Sequence, residues 1–291
     1  MERRSAAQGW RALRGLVEQE ARLAAWPGRR HFTTFLYEFT RFGIKQACAC
    51  VFGGIMLALL LGTRRWYPAD AMLARYDFLT IVAVLVQVGM PATGLETREE
   101  AMVIVLFRVA GTVMEIFKTA AGSWIYPEPS LLRRAGVPLF TGFMYAAVGS
   151  YIARAWRVFN FRFTHHPPLA AVLALAAANY INFFSHHFTV DVRVGLFAVS
   201  ALLFTRTWVH YWVRRVHRRM PLLVGLLLVT LFIWFAENIG TLTAVWLYPH
   251  QYSGWSVVRL GKLGSWFLLL LVSYILVAFV DRPTAYSEAS K

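Results

Sequence analysis

The sequence predicts an all-α membrane protein of about eight transmembrane helices, arranged as two parallel four-helix repeats with both termini in the cytoplasm. Three observations carry that prediction: a strongly apolar composition gathered into long blocks, a one-sided distribution of basic residues, and a gapless internal match between the two halves. Of 291 residues, 58% are hydrophobic and 15% are charged, which leaves too little polar surface to cover a water-soluble domain. Blocks such as Val194 to Phe204 and Leu222 to Ala236 belong to apolar runs approaching the length a bilayer requires. Helices are the expected form, because in lipid they satisfy their own backbone polar groups.

Taken in chain order, residues 1–31 read as a basic cytoplasmic tail or an interfacial helix. Trp10, Leu13, Val17, Ala21 and Ala24 recur at helical spacing, with Arg11, Arg14 and Arg22 elsewhere on the wheel. The segment lacks a sustained apolar run, so no signal peptide is expected. A polytopic membrane domain follows over 32–283, with spans at roughly 44–62, 77–95, 101–122, 137–154, 169–185, 192–209, 221–245 and 263–280. Residues 284–291 form a second cytoplasmic tail. Where the first span begins, Glu38, Arg41 and Lys45 share a face and compensate one another, the long stems snorkelling outward; binding of an anionic head group is the alternative. Cys48 and Cys50 lie in that span two residues apart, pointing away from each other, so neither a disulfide nor a metal pair is expected. His165-His166-Pro167-Pro168 reads as an interfacial turn before the fifth span.

The net charge of +15 would point to nucleic acid in a soluble chain. Here most of the Lys and Arg residues fall on the side of the N-terminus once the spans are laid out, which makes the charge a topology signal and a contact with anionic membrane lipids, with no nucleic acid partner. The expected location is the bacterial inner membrane, with the Arg206 to Arg219 segment as the strongest cytoplasmic anchor. The acidic stretch Glu96 to Glu100 fits this pattern poorly.

The segment from Glu115 to Pro127 matches the segment from Glu237 to Pro249 without a gap, Glu, Thr, Trp, Tyr and Pro coinciding. The same offset maps Gly142 onto Gly264 and divides the chain into repeats of approximately 32–156 and 157–281. Each Glu precedes a Trp-x-Tyr-Pro by two to three helical turns. Trp124, Tyr126, Trp246 and Tyr248 suit an aromatic belt at the membrane boundary and are also candidate substrate contacts. Glu115 and Glu237 are the candidate catalytic residues, since a carboxyl held in lipid must be protonated, paired or facing a wet cavity. Lys118, one turn on, is a ready neutraliser for Glu115; Glu237 has no such neighbour. On the fifth span Asn182 and His186 share a face with Asn179, and His187 and Asp191 lie just beyond, so all four are candidates for substrate binding at the same end as the two acids. Adjacent histidines diverge on a helix and no ligand-spaced pair occurs, so neither a metal nor another cofactor is expected.

The blocks YEFTRFGIKQ, GTVMEIFKTAAGSWIYPEPSLL, GVPLFTGFMYAAVGSYIARAW, FRFTHHPP, NFFSHHF, AENIGT and KLGSW resemble a bacterial integral-membrane family known as domain of unknown function 817, over most of the chain from about Phe32 to Pro283. That family supplies no activity. More remotely, Glu115, Gly122, Tyr126 and Gly136-Val137-Pro138 are similar to the membrane carotenoid hydratases and small lycopene cyclases, although the cyclases' Pro-x-Glu-Glu motif is missing. The resemblance implies acid chemistry on an isoprenoid chain: a buried carboxylic acid protonates an alkene and aromatic faces stabilise the cation. The expectation is therefore a protein acting on a lipid or isoprenoid, a hydrophobic small molecule, by intramembrane acid catalysis. Transport of a small solute or ion, and a noncatalytic scaffold or lipid-binding role, remain open beside it. The oligomeric state cannot be read from the sequence.

Overall fold

A computed structural model describes residues 31–213 and 217–287; the expected helix at residues 10–24 lies outside them. Nine α-helices dominate the described residues: α1 (His31–Ala49), α2 (Val51–Trp66), α3 (Arg75–Ala92), α4 (Arg98–Ala120), α5 (Thr141–Val158), α6 (Leu169–Ser185), α7 (Arg193–Phe204), α8 (Leu222–Leu242) and α9 (Gly261–Asp281). Each of the eight expected apolar segments contains a helix, but their lengths differ. α3, α8 and α9 are long and apolar enough to cross a membrane, and the α1–α2 pair is a fourth candidate if it is one broken span. α4 has 23 residues but carries Arg108, Glu115 and Lys118 within its apolar stretch, charges that lipid penalises heavily.

Two boundaries differ from the sequence expectation. The first span is bent by 73° where α1 meets α2, at Cys50, and the helix begins well before residue 44. The expected span 192–209 contains only the 12 residues of α7, about 18 Å of helix against a hydrocarbon core of about 30 Å. The chain then turns into strands β4 (Trp208–Trp212) and β5 (His217–Pro221), which join β3 (Arg162–Thr164) in an antiparallel sheet ordered β3-β4-β5. Trp-Val-His-Tyr-Trp favours the extended state through its aromatic and β-branched residues. A shorter pair, β1 (Arg133–Arg134) and β2 (Val137–Pro138), precedes α5.

α9 packs against α4, α5, α6 and α8, burying Leu270, Leu271, Ile275, Val277 and Ala278. The tightest pairing is between α4 and α5, where Gly149 lies beneath the Phe107 ring and Gly111 beneath the Tyr145 ring; a Cβ at either glycine would come within 2.6 Å of that ring. Small residues let helices approach in this way where lipid supplies no hydrophobic drive.

The molecule has two poles. At one, the β3-β4-β5 sheet gathers Phe163, which pairs with Ala285, and Tyr286, which stacks on His210 at 4.0 Å, while Lys45 of α1 donates to the carbonyls of Val158 and Trp212. At the other, Ile125 and Leu247 exchange backbone hydrogen bonds of 3.0 Å in each direction, tying the two matching sequence blocks to each other. The acidic stretch is explained by α5: Glu96 pairs with Arg154 at 2.8 Å and Glu100 with Arg157 at 2.8 Å. Thr97 and Glu100 also close a capping box at the start of α4. Burial pushes the Glu96 carboxyl above its ordinary range and the Arg154 guanidinium draws it back.

Candidate functional site

The C-terminal turns of α4 and α8 position the two buried acids, Glu115 and Glu237. α4 ends in a turn in which Gly122 takes φ of +70° and Ser123 N–H returns to Lys118 O at 2.9 Å, a closure that favours glycine. The chain then folds back so that Trp124 Nε1 donates to Glu115 Oε2 at 2.9 Å and Tyr126 Oη donates to the same oxygen at 2.5 Å. Tyr145, from α5, donates to Oε1 at 2.8 Å. Gly111 makes the last bond possible by letting the Tyr145 ring lie on α4 one turn before Glu115.

The second block repeats the arrangement. Trp246 Nε1 donates to Glu237 Oε1 at 3.2 Å, and the Tyr248 hydroxyl donates to that same oxygen. Here Gly240 lets the Trp246 ring lie flat on α8; a Cβ at this glycine would come within 2.1 Å of the indole. The third donor is absent, because the position matching Tyr145 is Phe267. Glu115 thus has donors on both oxygens, whereas Oε2 of Glu237 has none among the described residues. The four aromatic side chains face inward onto carboxyls; Trp124 and Tyr248 are 8% and 4% exposed, so these two do not form an outward-facing belt.

Both acids line one cavity of about 1170 Å³, walled mostly by apolar side chains and running toward Phe161, Val209 and Met220 near the sheet. Trp124, Tyr126, Trp246, Tyr248, Asn182, His186 and His187 line it as well. Asp191 does not: it grips Arg193 at 2.5 Å and accepts from Asn182 at 3.3 Å. The Arg193 hydrogen bond holds the Asp191 carboxyl well below the usual carboxylate range. Asn182 also accepts from Val192 N–H at 3.2 Å, so it fixes the loop that carries both histidines.

Lys118 does not neutralise Glu115. Its Nζ lies 3.3 Å from His186 Nε2 and 2.7 Å from His187 Nε2, and over the Phe183 ring at 4.3 Å. His186 Nδ1 lies 2.8 Å from the Asn182 carbonyl, so that nitrogen carries the proton and Nε2 is left as an acceptor. The adjacent histidines converge, with ring centroids 4.3 Å apart, because α6 ends at Ser185 and helical spacing no longer separates them. Desolvation and the nearby Lys118 charge lower the His187 pKa, which keeps an acceptor toward the ammonium. Among the described residues no carboxylate pairs with Lys118, which is 6% exposed. The negative end of the α4 dipole offsets only about 0.3–1 kcal/mol of the several kcal/mol that burying a charge costs.

Lys262 opens the block KLGSW but was not read as a site residue. It sits over Tyr248 at 4.5 Å and Trp124 at 5.4 Å, within electrostatic range of both Glu115 and Glu237. Tyr145 was likewise missed, since it lies outside the matched blocks. Trp266 Nε1 and Asn179 Oδ1, from two further cavity-lining residues, are buried and have no partner among the described residues. Among the described residues no group of three or more His, Cys, Asp or Glu is placed to hold a metal ion.

The mycobacterial Insig homolog MvINS from Mycobacterium vanbaalenii aligns with 65% of this chain and 98% of its own at a TM-score of 0.47 and 16% identity. A cross-linked trimer of the same protein aligns at 0.47 and 15%. The uncharacterized protein YoaT of Bacillus subtilis (strain 168) is 45% identical over 245 residues, 84% of this chain and 92% of that protein. With residues 38–274 matching the family described as Protein of unknown function (DUF817), the chain belongs to that family.

Proposed function

We propose that this is a multi-pass protein of the bacterial inner membrane whose central cavity takes up an apolar chain of the lipid or isoprenoid class, on which Glu237 acts as a proton donor. The observation that carries the reading is the asymmetry of the two acids on one apolar cavity: Glu115 is held by three donors and serves as a fixed acceptor, while Glu237 keeps one oxygen open to the space. In the step, the O–H bond of a protonated Glu237 breaks as its proton bonds to an alkene carbon, using the alkene π pair. The resulting cation loses a neighbouring proton, or gains water and then loses one, to a carboxylate. Lys262 already lies over Trp124 and Tyr248, so the Trp246 ring beside Glu237 is the one that suits a cationic intermediate, an interaction worth about 2 kcal/mol when desolvated. Solute transport would require a polar route along the cavity, and its wall toward the sheet is apolar.

The same reading includes eight passages in two parallel repeats, with both termini cytoplasmic. A helix in each expected segment, matching carboxyl–indole–phenol sets in the two blocks, and the mutual Ile125–Leu247 pairing support it.

The test is lipid extraction and untargeted mass spectrometry of bacteria expressing the wild type, Glu237→Gln or Glu115→Gln at equal folded protein. A product lost in Glu237→Gln supports proton donation. Unchanged lipid profiles in both variants remove the catalytic reading and leave a scaffold or lipid-binding role.

A further inference from the structure

We propose that Lys118 and Lys262 together bind the phosphate-type anionic head group of an amphiphile whose hydrocarbon chain fills the central cavity; this rests on the apolar-chain reading above and narrows its ligand class. Both lysines line the cavity at the pole that carries the two acids, and their charges lie within electrostatic range of each other. Among the described residues neither has a carboxylate within ion-pair distance. Lys118 is held by two histidine nitrogens, and Lys262 lies over aromatic faces, within electrostatic range of Glu237 and Glu115 without an ion pair to either. Neutral acceptors of this kind keep both charges in place without cancelling them, which is what a site for an anion needs. Arg259, also on the cavity wall and exposed, sits one turn from Lys262 at the rim. Arg193 is committed to Asp191 and Ser265, so it frames the site. A head group here would lie beside Glu237, leaving the chain to run toward Leu226 and Val209. The bond protonated by Glu237 is then near the head of the substrate.

The experiment measures binding of dodecyl phosphate, dodecanol and inorganic phosphate to the full-length protein in dodecyl maltoside. Dodecyl phosphate is expected to bind at least about tenfold more tightly than dodecanol, with a preference that shrinks as salt is raised, and inorganic phosphate is expected to compete poorly. Lys118→Gln and Lys262→Gln should each cut the preference to about threefold or less without changing dodecanol binding; if one variant does not fold, the other and the wild-type salt series carry the test. Equal binding of dodecanol and dodecyl phosphate overturns the head-group site and leaves the apolar cavity standing. Inorganic phosphate competing as well as dodecyl phosphate assigns the lysines to a soluble anion and overturns the amphiphile. Absence of binding by both dodecyl ligands removes the apolar-cavity reading and this inference with it.

Discussion

At the scale of single residues, the two acids depend on glycines as much as on their donors. Gly240 has no side chain because the Trp246 indole occupies the place where one would stand. Gly240→Ala is expected to displace that ring, break its bond to Glu237 and cost about 1–3 kcal/mol through overpacking, seen as earlier thermal unfolding in detergent with a shifted tryptophan emission. Asp191 gives a pH signature at the same scale. Its folded-state carboxyl is depressed by Arg193, so its contribution is present above the ordinary value of 3.8 and is lost as pH falls below it. Acid unfolding should therefore begin at higher pH in the wild type than its own neutral-pH margin would imply, and Asp191→Asn should flatten that dependence while lowering stability at pH 7. The acids themselves were legible in the sequence, because a Glu in an apolar run has few innocent explanations. The third donor to Glu115 was not: Tyr145 reaches it from another helix, and one tyrosine among the chain's 12 carries no spacing signal.

Among the elements, long apolar blocks gave helix positions well, since a run of that kind has one satisfactory backbone solution in lipid. They gave ends poorly. The bend at Cys50 occurs at no proline, and only a short turn over 205–207 separates the apolar helix ending at Phe204 from the strand Trp208–Trp212, so hydropathy alone merges the two. The capping box at Thr97 and Glu100 was written in the sequence, yet the acidic stretch was legible only as a misfit because its arginine partners lie over 50 residues away. Those partners are expected to matter unequally. Arg154 is 2% exposed and faces a buried Glu96, so Arg154→Met should cost about 3–5 kcal/mol by stranding a carboxylate. Arg157 is more solvated and Arg157→Met should cost clearly less. Thermal unfolding of the two variants checks the order, and Glu96→Gln combined with Arg154→Met should recover much of the loss.

For the whole molecule, the proposed orientation with both termini cytoplasmic is testable at its two poles. Arg162, Arg218 and Arg219 lie on the sheet, with Arg206 just before it, while Glu115, Glu237, Asp191 and the Trp-x-Tyr-Pro turns collect opposite, together with Lys118, Arg193, Arg259 and Lys262. Because basic loops are retained on the cytoplasmic side, the topology proposed above has the sheet facing the cytoplasm and the acid-bearing pole facing outward. In a background of Cys48→Ala and Cys50→Ala, the exposed positions Thr189 and Arg218 report the two poles through single cysteines. Thr189→Cys should react with a membrane-impermeant maleimide at the surface of spheroplasts, and Arg218→Cys only after the membrane is opened. The reverse pattern would invert the topology and present the Lys118–Lys262 pair to the cytoplasm, where an anionic ligand would have to enter from the inner leaflet. The orientation thus decides which leaflet supplies the cavity: with the sheet inside, a head group reaching Lys118 and Lys262 comes from the outer leaflet, its chain pointing down the apolar wall toward the cytoplasmic pole.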